Sequence, residues 1–289
     1  MPANGRPTVR SRRFGRKMQR HRVNAGFDQA QAADFIYGSR SKISRMEDGI
    51  TTAKPAEVLL LLDRYGVEDD KEREHLVWLA KNSGRRGWWL EHADHLRPDY
   101  LDHIALEDDA TYIREWQPVL VPGLLQTSAY ANAVIVATPH HIAPERVTQL
   151  MKVREERQAK IEEGGASYAV ILWESVITNP MLSAEIHREQ LSAILEAGKR
   201  KNVTVQVLPF SAGAVAWSTY AFSSFSFGTE PTVEAVTMDN LRGTSVLEAP
   251  EDLATYANAY DQLRSAALGP DASARLIRSA LRSSKDESS

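Results

Sequence analysis

Apolar positions from Val9 onward recur at helical spacing in short blocks punctuated by glycines. Val9, Phe14, Met18 and Val23 predict a helix from about Thr8 to Ala25, closed by Gly26. Asp28 is an N-cap type residue, and behind it Ala30, Ala33 and Phe35 predict a second helix ended by Gly38. Ser39 caps a third, with Ile43 and Met46 inward and Gly49 as its C-cap. Pro55 opens a fourth, where its missing N–H is harmless, with Val58, Leu59, Leu61, Leu62 and Tyr65 as an apolar face ended by Gly66. A fifth, Glu68 to Lys81, packs through Leu76, Val77, Leu79 and Ala80.

After NSGRRG at 82–87 the pattern changes. The paired Trp88 and Trp89 open a second unit, followed by a helix at Tyr100 to Ala110 and a Pro- and Gly-containing segment at Glu115 to Gln126. Helices are expected at Ser128 to Ala137, Pro144 to Glu163, Glu185 to Ala197, Asp252 to Leu268 and Asp271 to Arg282. Strand-like runs lie at Tyr168 to Trp173, Val203 to Leu208, Tyr220 to Phe227 and Val233 to Met238, the first two joined by a helical crossover that implies parallel pairing. The fold class is therefore multidomain: an all-α N-terminal domain, then an α/β domain with one small mixed sheet and helices. The domain boundaries read as a flexible arm at 1–8, a helical domain at 9–82, a second domain at 83–282 and a disordered tail at 283–289.

Length and composition sharpen this. At 289 residues two domains are the better expectation, and 43 % hydrophobic against 25 % charged residues is the balance of globular chains. No cysteine is present, which excludes disulfides, thiolate metal sites and cysteine nucleophiles and fits a reducing cytoplasm. No apolar run approaches a membrane span, and the basic N-terminus lacks the apolar core of a secretory signal. The formal charge of −3 hides an asymmetry: residues 1–64 carry 13 Lys and Arg against 6 Asp and Glu, net +7, and the remainder 22 against 32, net −10. Arg6, Arg10, Arg12, Arg13, Arg16, Lys17, Arg20 and Arg22 fall in the first 25 residues with no acidic side chain among them. Phosphate is the natural counter-charge for such a run, and a solvated basic face the plain alternative.

Residues 27–49, FDQAQAADFIYGSRSKISRMEDG, decide between them, because two short helices joined by a tight turn present the second to the DNA major groove. Arg40, Ser41, Lys42, Ser44 and Arg45 point away from Ile43 and Met46 and are the candidate base-contacting residues. Gln29, Ala33, Gly38, Ser39, Ile43, Arg45, Glu47, Gly49 and Pro55 together resemble the lambda-repressor-like, or XRE-family, helix-turn-helix domain over about residues 9–66. That resemblance implies a phosphate contact by Gln29 and base contacts by Arg40, Ser41, Ser44 and Arg45. Arg16, Lys17 and Ser39 complete the candidate phosphate-contacting set, with Ser39 equally explained as a helix cap. From about 85 to 280, WW at 88–89, LEDDA, PVLVPGLLQTSAYA, Arg154, Glu174 and VQVLPFSAGA resemble the effector-like domain that follows such heads in antitoxin-like XRE regulators of high-GC bacteria. The resemblance implies a small protein partner rather than a mechanism.

Catalytic signatures are missing: there is no HExxH, GxSxG or glycine-rich phosphate loop, and His92, His95, His103, His140, His141 and His187 lack zinc-ligand spacing. No catalytic residue, metal or cofactor is expected. Trp116, Trp173, Glu174, Phe210, Trp217 and Tyr220 are the candidate effector or partner surface, with core packing as the competing reading. The expectation is a cytoplasmic, homodimeric, sequence-specific transcriptional regulator binding a double-stranded operator, its second domain serving dimerisation and a small-molecule effector or protein partner. Two alternatives remain open: an antitoxin-like protein whose autoregulation is secondary, and a nucleic-acid-directed enzyme using Glu174 and a histidine.

Overall fold

The structure is a computed structural model describing residues 7–83, 87–137, 142–217, 219–240 and 242–286. Most of the N-terminal arm, the centre of the linker, His140, His141, the last tail residues and the side chain of Trp217 lie outside the described residues. The chain divides into two compact units between Leu90 and Glu91.

The first unit contains α1 (Val9–Asn24), α2 (Gln29–Phe35), α3 (Arg40–Glu47), α4 (Pro55–Arg64) and α5 (Asp70–Asn82). Local capping chemistry sets their starts. Thr8, Asp28, Ser39 and Asp69 accept hydrogen bonds from first-turn amides, with Asp28 and Gln31 forming a reciprocal capping box. The core joins Phe14 and Met18 of α1 to Ala32, Ala33, Ile43, Met46, Val58, Leu61, Leu62, Leu76 and Leu79.

Several positions depart from the pattern-based reading. Val23, Ala30 and Leu59 are exposed. In α1 the buried stripe runs Phe14, Met18, Arg22, so an arginine takes the inward position expected for Val23. In α4 the stripe Val58, Leu61, Leu62, Tyr65 leaves Leu59 and Leu60 on the outer flank. Helix α2 stops at Phe35 rather than Gly38, and the left-handed residue is Tyr37, with φ 51°. Trp88 and Trp89 fall in the first unit, because the Arg10 guanidinium lies 5.9 Å from the Trp78 ring and 5.4 Å from the Trp89 ring.

The second unit is built on a six-stranded sheet, ordered β3-β2-β1-β4-β5-β6. Its strands are β1 (Tyr112–Gln117), β2 (Ser167–Trp173), β3 (Val203–Leu208), β4 (Phe222–Ser226), β5 (Ala235–Asn240) and β6 (Gly243–Leu247). Strands β1, β2 and β3 pair in parallel and the other neighbours antiparallel, giving the expected mixed sheet. Helices α6 (Pro98–Asp109), α7 (Ser128–Val136), α8 (Pro144–Gln158), α9 (Glu174–Thr178), α10 (Ala184–Ala197), α11 (Gly213–Trp217), α12 (Pro250–Ala266) and α13 (Pro270–Asp286) complete the unit. The crossover containing α10 joins parallel β2 and β3, as its position in the sequence predicts. Strands β1 and β6 do not stand out in the sequence pattern: YIREWQ carries adjacent charges, and GTSVL is short and small-residued.

Strand alternation gives the sheet two chemically different faces. One carries Trp116, Ile171, Phe222 and Val236 into an apolar cluster with Tyr260 and Leu263 of α12. The other carries Glu115, Tyr168 and Thr237, and there a polar network is buried instead.

Candidate nucleic-acid interface

The α2–turn–α3 segment is fixed from behind by a buried ion pair. Arg22 Nε and Nη2 donate to Glu47 Oε1 at 2.6 Å and Oε2 at 3.0 Å, and Arg22 Nη1 donates to the Phe27 carbonyl at 2.7 Å. Gln29 Nε2 donates to the same carboxylate at 2.9 Å, so Glu47 ties the end of α3 to the end of α1 and the start of α2. The Glu47 hydrogen bond outweighs burial and raises the Arg22 guanidinium further above its ordinary range. Backbones also meet closely at this end. A Cβ on Gly15 would lie 2.2 Å from the Glu47 carbonyl oxygen, and one on Gly49 2.7 Å from the Arg12 amide nitrogen. Gly49, at φ 71°, closes α3 by donating to Met46 O, while Ile50 N donates to Arg45 O.

With Ile43, Met46 and Glu47 buried, α3 turns Arg40, Ser41 and Arg45 to solvent. Ser44 is half-buried, its Oγ 3.5 Å from Asp48 Oδ2. Lys42 is half-buried too, and its Nζ lies 2.6 Å from Glu57 Oε1. Burial pushes the Glu57 carboxyl up, but hydrogen bonds from Lys42 and the Lys54 amide leave it below its ordinary range. Ser39 Oγ accepts from the Lys42 amide at 3.2 Å, as a cap does. Gln29 sits at the first turn of α2 with its amide turned to Glu47.

The basic run on α1 is divided by its partners. Arg10, Arg13 and Arg22 are buried, whereas Arg16 and Arg20 are exposed. Lys17 Nζ and His21 Nε2 lie 2.9 and 3.1 Å from Glu72. Burial alone would raise the Glu72 carboxyl, but hydrogen bonds from His21 and Lys17 and the Lys17 charge hold it at about 2. Two features escaped the sequence reading: the Arg22–Glu47 pair, signalled only by an arginine in register with Phe14 and Met18, and the left-handed Tyr37.

Among the described residues, the aromatic set in the second unit is divided between core and surface. Trp116 is wholly buried on the apolar sheet face, its Nε1 donating to Thr219 O at 3.0 Å, so core packing is its role. Trp173 is half-buried, meeting Phe210 edge-on at 5.8 Å, and Glu174 Oε2 accepts from the Phe210 amide at 2.6 Å. Phe210 and Tyr220 are 52 % and 89 % exposed. An open cleft of about 200 Å³ is lined by His95, Arg97, Tyr100, Arg146, Leu150 and Thr244 among others.

Behind Tyr100, on the polar sheet face, Arg157 Nε and Nη2 each donate to Glu107 at 2.7 Å, and Nη1 to the Tyr100 hydroxyl at 2.5 Å. His103 Nδ1 lies 2.9 Å from Thr237 Oγ1, and Tyr168 donates to Glu115 at 2.7 Å. Burial would raise both carboxyls; the Arg157 charge nonetheless holds Glu107 at about 2, whereas Glu115, with only neutral donors at hand, stays raised. Among the described residues no cluster of three or more His, Asp or Glu could hold a metal ion, and no helix is long and apolar enough to cross a membrane.

Comparison with known families separates the two units. A helix-turn-helix domain family matches residues 13–76, spanning the segment assembled around Glu47, and supports a DNA-binding regulator. No curated protein and no solved structure matches the chain. A second family, described as a domain of unknown function, matches residues 100–279 and so contains the whole polar and apolar sheet architecture. The protein, more than half of which that match covers, belongs to the family of the domain of unknown function DUF5753, with a helix-turn-helix domain in front of it.

Proposed function

We propose that the protein is a cytoplasmic, homodimeric, XRE-family transcriptional regulator that reads an operator with α3 in the major groove. The observation that carries this reading is the division of α3: Arg40, Ser41 and Arg45 are exposed along a helix whose opposite side is locked by Arg22, Gln29 and Glu47. A groove-reading helix needs both, because base discrimination depends on side chains held in fixed register. Exposed Arg16 and Arg20 supply sequence-independent attraction to phosphates. One such helix reads only a few base pairs, so dimerisation through the second unit supplies the second half-site. That unit also receives an effector and performs no catalysis; Glu174 anchors the turn at Phe210.

Selection from a random duplex pool by the full-length protein tests this directly. Enrichment of a motif with two half-sites about one helical turn, ~34 Å, apart is expected. A pool with no shared motif after successive rounds would refute the reading. A second reading, an antitoxin-like protein neutralising a small protein partner, is favoured by exposed Phe210 and Tyr220. Co-purification of one small protein, lost on Phe210→Ser with Tyr220→Ser, would support it.

A further inference from the structure

We infer that Tyr37 is a DNA-contacting residue whose ring and hydroxyl lie on the sugar–phosphate backbone at the rim of the groove that α3 enters. The inference rests on the DNA-binding reading above and adds to it a residue that neither the helix-turn-helix pattern nor the basic run singles out. Among the described residues Tyr37 is the one non-glycine residue with positive φ, at 51°, a conformation that disfavours a side chain. Gly38 stands immediately beside it without positive φ. The turn itself needs only backbone: Tyr37 N donates to Asp34 O at 3.2 Å and Gly38 N to Ala33 O at 2.9 Å, bonds that glycine at 37 would make equally well.

The side chain adds nothing to the core. It is 98 % exposed, and no ring contact or hydrogen bond engages it among the described residues. A large aromatic ring is therefore held on a backbone that opposes it, in the open. Backbone strain of this kind collects where function fixes a side chain.

Position identifies the occupant. Tyr37 lies two residues before Ser39, the cap of α3, and three and four before exposed Arg40 and Ser41. In this docking geometry the first helix crosses the backbone and the second enters the groove, so the turn between them meets the strand at the groove edge. A phenol suits that surface: its hydroxyl donates to a phosphate oxygen and its ring covers a deoxyribose. Such a contact positions the head and carries no base information.

Tyr37→Gly, Tyr37→Phe and Arg45→Ala in the full chain, titrated on the duplex selected by the wild type and on a scrambled duplex, test this. Tyr37→Gly should melt no lower than wild type yet bind both duplexes about three- to tenfold more weakly, with their ratio unchanged. Tyr37→Phe should fall between the two. Wild-type affinity of Tyr37→Gly on both duplexes, while Arg45→Ala loses discrimination, overturns the role of Tyr37 and leaves the α3 reading standing. A lowered melting temperature for Tyr37→Gly also overturns it, by making the ring structural. If Arg45→Ala keeps full discrimination, the reading of α3 itself fails, whatever Tyr37 does.

Discussion

Among the described residues, each unit buries a bidentate arginine–glutamate pair, and the two pairs do different work. Arg22 and Glu47 lie directly behind an exposed helix face, and Gln29 and the Phe27 carbonyl extend their network to both ends of the turn that carries it. Arg157 and Glu107 are enclosed by Tyr100 and His103 beneath one face of a sheet. Removing two charges from water costs several kcal/mol each, which good geometry only about repays. Neither pair is thus a net source of stability in this account; each fixes an arrangement. In the first unit the arrangement fixed is the aim of α3, and its effect reaches solvent. In the second it is the register of α6, α8 and the sheet, opposite an apolar face that already supplies a core.

Truncating one partner should give the largest effect. Glu47→Ala leaves Arg22 charged and buried, and is expected to destabilise the first unit by about 3–5 kcal/mol and to abolish DNA binding. Amide exchange in α2 and α3 would report it. Glu107→Ala should cost the second unit a similar ~3–5 kcal/mol, read from exchange in β1 and β2, without altering which duplex the first unit prefers. Equal loss of sequence preference in both variants would break the comparison.

Acid should separate the units next. Glu72, held at about 2 against an ordinary 4.5, contributes stability that is present above pH 4.5 and lost as pH falls toward 2. Glu107 acts with the same sign, but Glu115, with its raised folded pKa, binds its proton more tightly when folded and opposes it. Glu72→Gln is therefore expected to flatten the acid side of the first unit's stability profile. An unchanged slope would show that the Lys17–His21–Glu72 cluster has no such role. Smallest of all, Arg16→Ala should weaken every duplex alike and reduce the salt slope by about one, whereas a change confined to the selected duplex would make Arg16 a base reader.

What could be read from sequence follows how local each cause is. Asp28, Ser39, Gly49 and Pro55 act within one helical turn, and the ends they mark are where the sequence places them to within a residue or two. Tyr37 defeats that logic because its neighbour Gly38 is the residue that intrinsic preference would select for positive φ. By charge alone the α1 run is one basic face; Arg22 and Arg10 leave it through Glu47 and the tryptophans 78 and 89, partners 25 to 79 positions away. Strand β1 was hidden for the same reason. Its Arg114 and Glu115 look like solvent-facing charges until β2 and β4, more than 50 and 100 residues later, enclose them. Trp116 belongs to the core because Trp116 and Phe222 share a sheet face, which no local spacing reveals.

On the proposed function, α3 reads bases because its back is locked by Arg22, Gln29 and Glu47. The most direct measurement is the affinity ratio between the selected and scrambled duplexes for wild type and Arg45→Ala across a salt series. Arg45→Ala should lose about 1–3 kcal/mol on the selected duplex and little on the scrambled one, collapsing the ratio at every salt concentration. An unchanged ratio in Arg45→Ala, with the first unit still folded, would contradict it.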